Sequence, residues 1–336
     1  MMELKDQQTS TTNLDLFSNT RSRAQLEDCC HSTRKNQSYV LNNLKRLDYS
    51  DRETITNYAE KYNQFCCEFS FSNLYLWVDI YHYEIAYFND WLVIIDPDND
   101  YCLMPLGENI TPSGLHKLSE CLHKEGYSGD ISNVPPEVIA HYPELSCYYD
   151  IESYREIAEY IYASEKLYEL KGKKLRKKKN HISQFKRKYP EYQVRALDAA
   201  TRNDCLEMSE RLLQDAENIK KVSKSIRNEM TVIRKAFDSF NAIPLEGIAI
   251  YVENRPICFS IYSRLNQNVF TIHFEKADYR YSGVSQMINW ETARILKERC
   301  QYINREQDLG IPGLRKAKLS YEPELIYPAN YLSLKE

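Results

Sequence analysis

The most constraining stretch of this sequence runs from Gly247 to Glu275, where the apolar period becomes two. Gly247 to Val252, Pro256 to Ser263 and Asn268 to Glu275 read as strands, separated by short polar turns at 253–255 and 265–267. Connections that short join antiparallel neighbours, so the stretch predicts a meander. Two helical patterns precede it, Asp198 to Asp215 and Lys221 to Phe240, the second with Val222, Ile226, Met230, Ile233 and Phe237 on one face. After it come a loop holding Gly283, a helix from Ser285 to Cys300 and a strand from Tyr302 to Arg305. A helical signal at Leu309 to Lys318 and a strand at Glu324 to Tyr327 follow. A meander hemmed by helices buries its sheet against them, which predicts a mixed α/β unit, mainly antiparallel.

The first half repeats this order. Asp51 to Tyr62 reads as a helix, and FSFSNLYLW (Phe69 to Trp77) starts a second one toward Tyr81, with Ser72 as the cap. Strands are expected at Glu84 to Phe88, Trp91 to Ile95 and Tyr101 to Leu106. A helix then runs from Thr111 and Pro112 to Lys124, and a strand and helix occupy Ile131 to Tyr142. The segment Asp150 to Tyr162 leads onward. No sequence repeat accompanies the repeated order, so a duplication rests on element order alone. A chain of 336 residues suits two such domains, 41–160 and 161–336. Residues 1–40, rich in Ser, Thr, Asn and Gln, read as a disordered or loosely attached extension.

The second domain opens on LYELKGKKLRKKKNHISQFKRKYP, Leu167 to Pro190. Between Lys171 and Lys188 it holds ten Lys or Arg and no acid, in a chain whose net charge is −4. Such concentration costs self-repulsion and suits an anionic partner, although a solvated helix face is the competing reading. Leu175, Ile182, Phe185 and Tyr189 recur at helical spacing, so the run predicts a helix seated by an apolar seam. Gly172 interrupts it near the start, and Pro190 ends it. Lys173, Lys174, Lys177, Lys178, Lys179, Asn180 and His181 are the candidate anion-binding or tRNA-binding residues.

Several classes are excluded. The ten cysteines form no CxxC and no ligand spacing, so free thiols are expected and no metal site is. There is no G-x-S-x-G, H-E-x-x-H, P-loop or G-x-G-x-x-G. No segment reads as a membrane span and the N-terminus lacks a signal-peptide core, so a cytoplasmic protein is expected.

Two places suit chemistry. The loop at Arg280, Ser282, Gly283 and Ser285 precedes a helix, where backbone N–H groups hold phosphate, and it loosely resembles the R-x-x-G-x-G/A loop of GNAT acyltransferases. A plain turn is the alternative. The densest polar cluster follows the strand at Tyr302 and contains Arg305, Glu306, Asp308, Lys318 and Tyr321. Polar groups past the carboxyl end of a strand are well placed for a ligand. Glu275 ends the last meander strand, after His273, and is a candidate for handling a proton.

At these residues the chain resembles a known family. ELKGKKLRKKKNHISQFKRKYP (Glu169 to Pro190) and YINREQDLGIPGLRKAKLSYEP (Tyr302 to Pro323) are similar to signature blocks of bacterial proteins related to the C-terminal domain of phosphatidylglycerol lysyltransferase. FSFSNLYLW and LMPLG (Leu103 to Gly107) resemble that family's N-terminal half. The resemblance covers about Leu41 to Leu334 and implies two GNAT-like domains in tandem, akin to Fem aminoacyltransferases. It implies aminoacyl transfer from aminoacyl-tRNA to a lipid or other hydroxyl or amine acceptor, with the basic helix meeting tRNA or an anionic lipid headgroup. Arg305, Lys318 and the N–H groups near Gly283 are then candidates for holding an oxyanion. Glu275, Glu306, Asp308 and Tyr321 are candidates for the proton. An acyl-CoA-dependent N-acyltransferase and a non-catalytic module binding RNA or an anionic membrane are the alternatives.

Overall fold

A computed structural model of the chain describes residues 39–62, 65–218 and 222–335. The expectation for the extension 1–40 falls, except at its last two positions, outside the described residues, as does Lys221 at the expected helix start.

The first half runs β1 (Asn42–Arg46), α1 (Arg52–Tyr62), α2 (Phe71–Tyr81), β2 (Glu84–Phe88), β3 (Trp91–Asp96), β4 (Tyr101–Leu103), α3 (Pro112–Lys124), β5 (Ile131–Val134), α4 (Pro136–His141) and β6 (Tyr149–Ser153). Thr111 caps α3 by accepting from the Gly114 N–H at 3.2 Å, and Pro112 opens it. The cap of α2 is not Ser72 but the Ser70 position, whose hydroxyl instead meets Ser263 Oγ at 3.2 Å.

The second half runs β7 (Glu159–Ala163), α5 (Ser164–Glu169), α6 (Arg176–Lys188), β8 (Gln193–Ala196), α7 (Ala199–Asn218), α8 (Lys224–Asp238), β9 (Leu245–Val252), β10 (Arg255–Arg264), β11 (Val269–Ala277), α9 (Val284–Leu296), β12 (Tyr302–Asn304), α10 (Pro312–Leu319), β13 (Leu325–Tyr327) and β14 (Asn330–Leu334). The basic run is two helices rather than one, because Leu170 and Gly172 both take positive φ. Its seam of Leu175, Ile182 and Phe185 is buried as the period requires.

Two seven-stranded sheets result, in the orders β1-β2-β3-β4-β5-β14-β6 and β13-β7-β12-β11-β10-β9-β8. Every pairing is antiparallel except β4 with β5 and β11 with β12. Two helices follow β1 and β8, and one lies between the parallel strands of each sheet, so the order read from sequence recurs as topology. This is the tandem GNAT-like architecture, a mixed α/β fold with two mainly antiparallel sheets flanked by helices.

One strand crosses between the halves. β7, at the head of the second half, pairs with β12 and β13, while β14, the last strand, lies between β5 and β6 of the first sheet. Division of the chain by position therefore does not divide the sheets. β6, β7, β8 and β14 were not legible as strands, since charges at Asp150, Glu152 and Glu159 and short lengths interrupt their alternation.

Candidate active site

The parallel pair of the second sheet is brief. It registers Val269 with Tyr302, Phe270 with Ile303 and Thr271 with Asn304. There β12 stops, while β11 continues to Ala277 along β10. Past that point His273 and Glu275 on β11 face the segment of Arg305 and Glu306, and polar side chains occupy the space where the strands part. Such a parting exposes backbone groups that need partners, which makes it a natural ligand position.

Arg305 is the centre of the site. Its Nη2 donates to Glu275 Oε2. The buried Asn289 amide of α9, with its oxygen turned toward the guanidinium, accepts from Nη1 at 2.9 Å and Nε at 3.3 Å. The rings of Tyr321 and Tyr162 lie 5.3 Å and 5.9 Å from the guanidinium carbon. The second oxygen of Glu275, Oε1, is buried without a hydrogen-bond partner.

Lys318, buried on α10, donates to the Arg305 carbonyl and, at 3.1 Å, to that of Glu306. Burial, with the Arg305 charge second, lowers its ammonium to about 8. Burial pushes the Tyr321 phenol up to about 12. Glu306 sits at φ 56°, an uncommon conformation for a residue with a side chain, and its Oε1 lies 3.1 Å from His273 Nδ1. His273 Nε2 in turn is 2.8 Å from the buried Ser263 hydroxyl, so Glu306 is held by a line of buried groups.

The basic helix reaches this cluster. Lys178 Nζ stands 4.1 Å from the Tyr321 ring centroid, and burial, then repulsion from Arg305, lowers its ammonium. Lys174 pairs with Glu322 at 2.7 Å. Lys173, Lys177, Lys179, Asn180 and His181 are exposed, and among the described residues no carboxylate pairs with Lys173, Lys177 or Lys179. The basic helix and the segment after β12 thus border one region.

Other candidates have different surroundings. Asp308 accepts from Arg155, Tyr160, Arg315 and the Gly310 N–H. The Arg315 bond first, helped by Tyr160 and Gly310, holds its carboxyl well below the usual range despite its burial. So bound, Asp308 orders the loop before α10 and has no lone pair free for a proton. Arg280 is engaged by Asp278 at 2.6 and 2.8 Å, and Ser282 is exposed. Gly283 takes φ 85°, and a Cβ there would meet the His181 carbonyl at 2.9 Å. That glycine lets α6 pack on the start of α9, beside half-buried Ser285.

Asn289, Tyr162 and Ser263 are site neighbours the sequence did not disclose. Asn289 has a faint signal, an amide between Ile288 and Trp290 on an apolar helix. Tyr162 and Ser263 have none, being ordinary strand residues.

The family model described as phosphatidylglycerol lysyltransferase, C-terminal, matches residues 59–331. A conserved protein of unknown function from Bacteroides thetaiotaomicron superposes with TM-score 0.80 at 33% identity, over 88% of this chain and 100% of that one. The C-terminal domain of a candidate lysylphosphatidylglycerol synthetase from Agrobacterium fabrum superposes with TM-score 0.57 at 10% identity, over 84% of this chain and 91% of that one, a likeness of fold. An uncharacterized protein of Mycoplasmoides gallisepticum is 27% identical over 179 residues, 53% of this chain and 57% of that protein's length. Among the described residues no helix is long and apolar enough to cross a membrane.

Proposed function

The chain belongs to the phosphatidylglycerol lysyltransferase C-terminal family, and from that premise we propose that it moves an aminoacyl group from aminoacyl-tRNA to a hydroxyl or amine acceptor, a lipid among them. Family and fold point to a GNAT-like acyltransferase related to lysylphosphatidylglycerol synthetase; the donor and the residue roles are our reading.

Glu275 carries it. One of its oxygens holds Arg305, while the other is buried and unpartnered. A buried acceptor without a donor is costly, and an aminoacyl ester brings an α-ammonium that would satisfy it. A simple acyl thioester brings none. The CoA reading also relies on an open loop at Gly283, and α6 packs against that loop. The exposed lysines of α6 suit phosphates of tRNA or of an anionic headgroup.

In the transfer, the acceptor adds to the ester carbonyl and its proton passes to Lys318. A neutral lysine that donates to two carbonyls keeps its lone pair, and a pKa of about 8 leaves a useful neutral fraction near neutrality. The oxyanion forms beside Arg305. Collapse of the adduct expels the ribose oxygen, which takes the proton back.

The test pairs binding with transfer. Filter binding of labelled aminoacyl-tRNA is expected to weaken steeply with salt. Changing Lys177, Lys178 and Lys179 together to Glu should lower affinity by roughly 10- to 100-fold. Glu275→Gln should slow transfer of an aminoacyl group far more than of its N-acetylated form. Salt-independent binding, or equal loss with both donors, overturns the reading. Binding that persists with no transfer to any acceptor favours a non-catalytic module.

A further inference from the structure

A second buried cluster lies where the two halves meet. Cys66, Cys67 and Glu68 precede α2 in the first half, Glu159 begins β7, and Gln307 follows β12. Both cysteines are buried, and Glu159 is 1% exposed. Cys66 Sγ lies 2.6 Å from Glu68 Oε2, and Cys67 Sγ lies 3.3 Å from the same oxygen. Ligand atoms of Cys66, Glu68 and Glu159 all fall within 4.8 Å of one another.

The hydrogen bonding here is short of donors. The Gln307 amide nitrogen faces three acceptors, Cys67 Sγ at 3.2 Å, Glu68 Oε1 at 2.9 Å and Glu159 Oε1 at 2.8 Å, and an amide has only two hydrogens. The Cys67 N–H donates to Glu159 Oε1 at 3.0 Å. Glu159 Oε2 is buried and has no partner. Among the described residues no lysine, arginine or histidine pairs with either carboxylate. A buried Glu159, a half-buried Glu68 and two buried thiols with no cation paired to either carboxylate are unfavourable, because buried charge is paired or coordinates a metal.

We infer that this cluster is a zinc site, with Cys66 Sγ, Glu68 and the unpartnered Glu159 Oε2 as ligands and Cys67 or a water completing a tetrahedron. Zinc takes mixed sulfur and oxygen sets, and thiolate makes the set favour zinc over magnesium or calcium. Its ligands come from both halves, so the ion clamps the segment before α2 to β7. Sequence spacing hides the site because Cys66 and Glu68 are only two apart and Glu159 is remote.

The full chain, stripped with chelator and titrated with Co(II), is expected to take up one equivalent and to show a thiolate-to-cobalt charge-transfer band that Zn(II) abolishes. Zn(II) should raise the melting temperature and chelator should reverse the rise, as for any ion bound by the folded state alone. Cys66→Ser with Cys67→Ser should remove the band, and Glu159→Gln should weaken uptake at least ~10-fold. If these variants do not fold, the wild-type titration and melting shift decide. No thiolate band and no zinc-dependent shift overturn the site and leave a protonated hydrogen-bonded cluster. A band unchanged in the double variant also overturns it, by placing the metal on other cysteines.

Discussion

The two halves share a topology and differ at one matching place. In each, a helix connects two parallel strands that pair over a few residues and then part. In the first half the pairing of Cys102 with Ile131 and Leu103 with Ser132 is followed by Met104, Pro105 and Leu106 on one strand and Asn133, Val134 and Pro135 on the other. All six are buried and none ionises. Met104 N–H donates to the Ser132 carbonyl at 2.8 Å, which prolongs the pairing, and a Leu92–Leu106 bridge ties the outgoing chain to β3. In the second half the matching place holds His273, Glu275, Arg305 and Glu306, with Lys318 beneath the loop. The fold supplies a parting of strands twice; side-chain chemistry makes one of them core and the other a site.

The largest test concerns whether the halves are separable at all. Truncation after Tyr327 removes β14, which pairs with both β5 and β6 of the first sheet. We expect the cut to unfold the first half although it lies at the end of the second, seen as loss of the cooperative circular-dichroism transition. Retention of a folded first half would make the crossing of β14 incidental and sharpen the comparison into one between independent domains.

Next is the chemistry of the two partings. Arg305→Ala leaves Glu275 buried without its charge partner and should cost about 3–5 kcal/mol of stability. Transfer should drop about 10²–10³-fold. Arg305→Lys, which keeps the charge and loses the planar fork, should fold and still transfer slowly. Met104→Ala at the matching place should cost about 2–4 kcal/mol through a cavity and leave the rate of the folded fraction unchanged. A comparable rate loss at Met104 would break the contrast.

The smallest effect is a pH slope. Lys318 is the sole buried lysine among the described residues. Its folded value of about 8 lies below the ordinary 10.5. Unfolding therefore takes up a proton between these values, so the Lys318 contribution to stability rises with pH across that window. Below about pH 8 the buried charge is a constant cost. The full rise is at most about 3 kcal/mol. Urea unfolding at several pH values should show the difference between wild type and Lys318→Met changing over this window and flat below it. A flat difference throughout would mean Lys318 titrates normally and cannot accept the acceptor's proton.

Much of the architecture was legible because it depends on local periods. Met230, Ile233 and Phe237 on one buried helical face, the meander after Gly247 and the buried seam of Leu175, Ile182 and Phe185 express patterns readable within a few turns or strands, whereas Val222 precedes the helix and Ile226 is exposed. Arg305, Glu306, Lys318 and Tyr321 were readable as a cluster because one loop and helix carry them. Their division of labour was not. In sequence Asp308 is equivalent to its neighbours; Arg155, from far earlier in the chain, and Arg315 set it apart.

By itself, then, the sequence determined the order of the meanders and the helices that flank them, the placement of positive charge and the family. Tertiary structure alone decided that the last strand, β14, crosses into the first sheet, that Glu275 meets Arg305 across thirty residues, and that Cys66 and Glu68 meet Glu159. The reason is physical. Helix and strand periods are set by backbone geometry over short spans. A buried charge or unpaired carbonyl is satisfied by whichever group the packed sheets bring within about 3 Å, and no local pattern records which group that is.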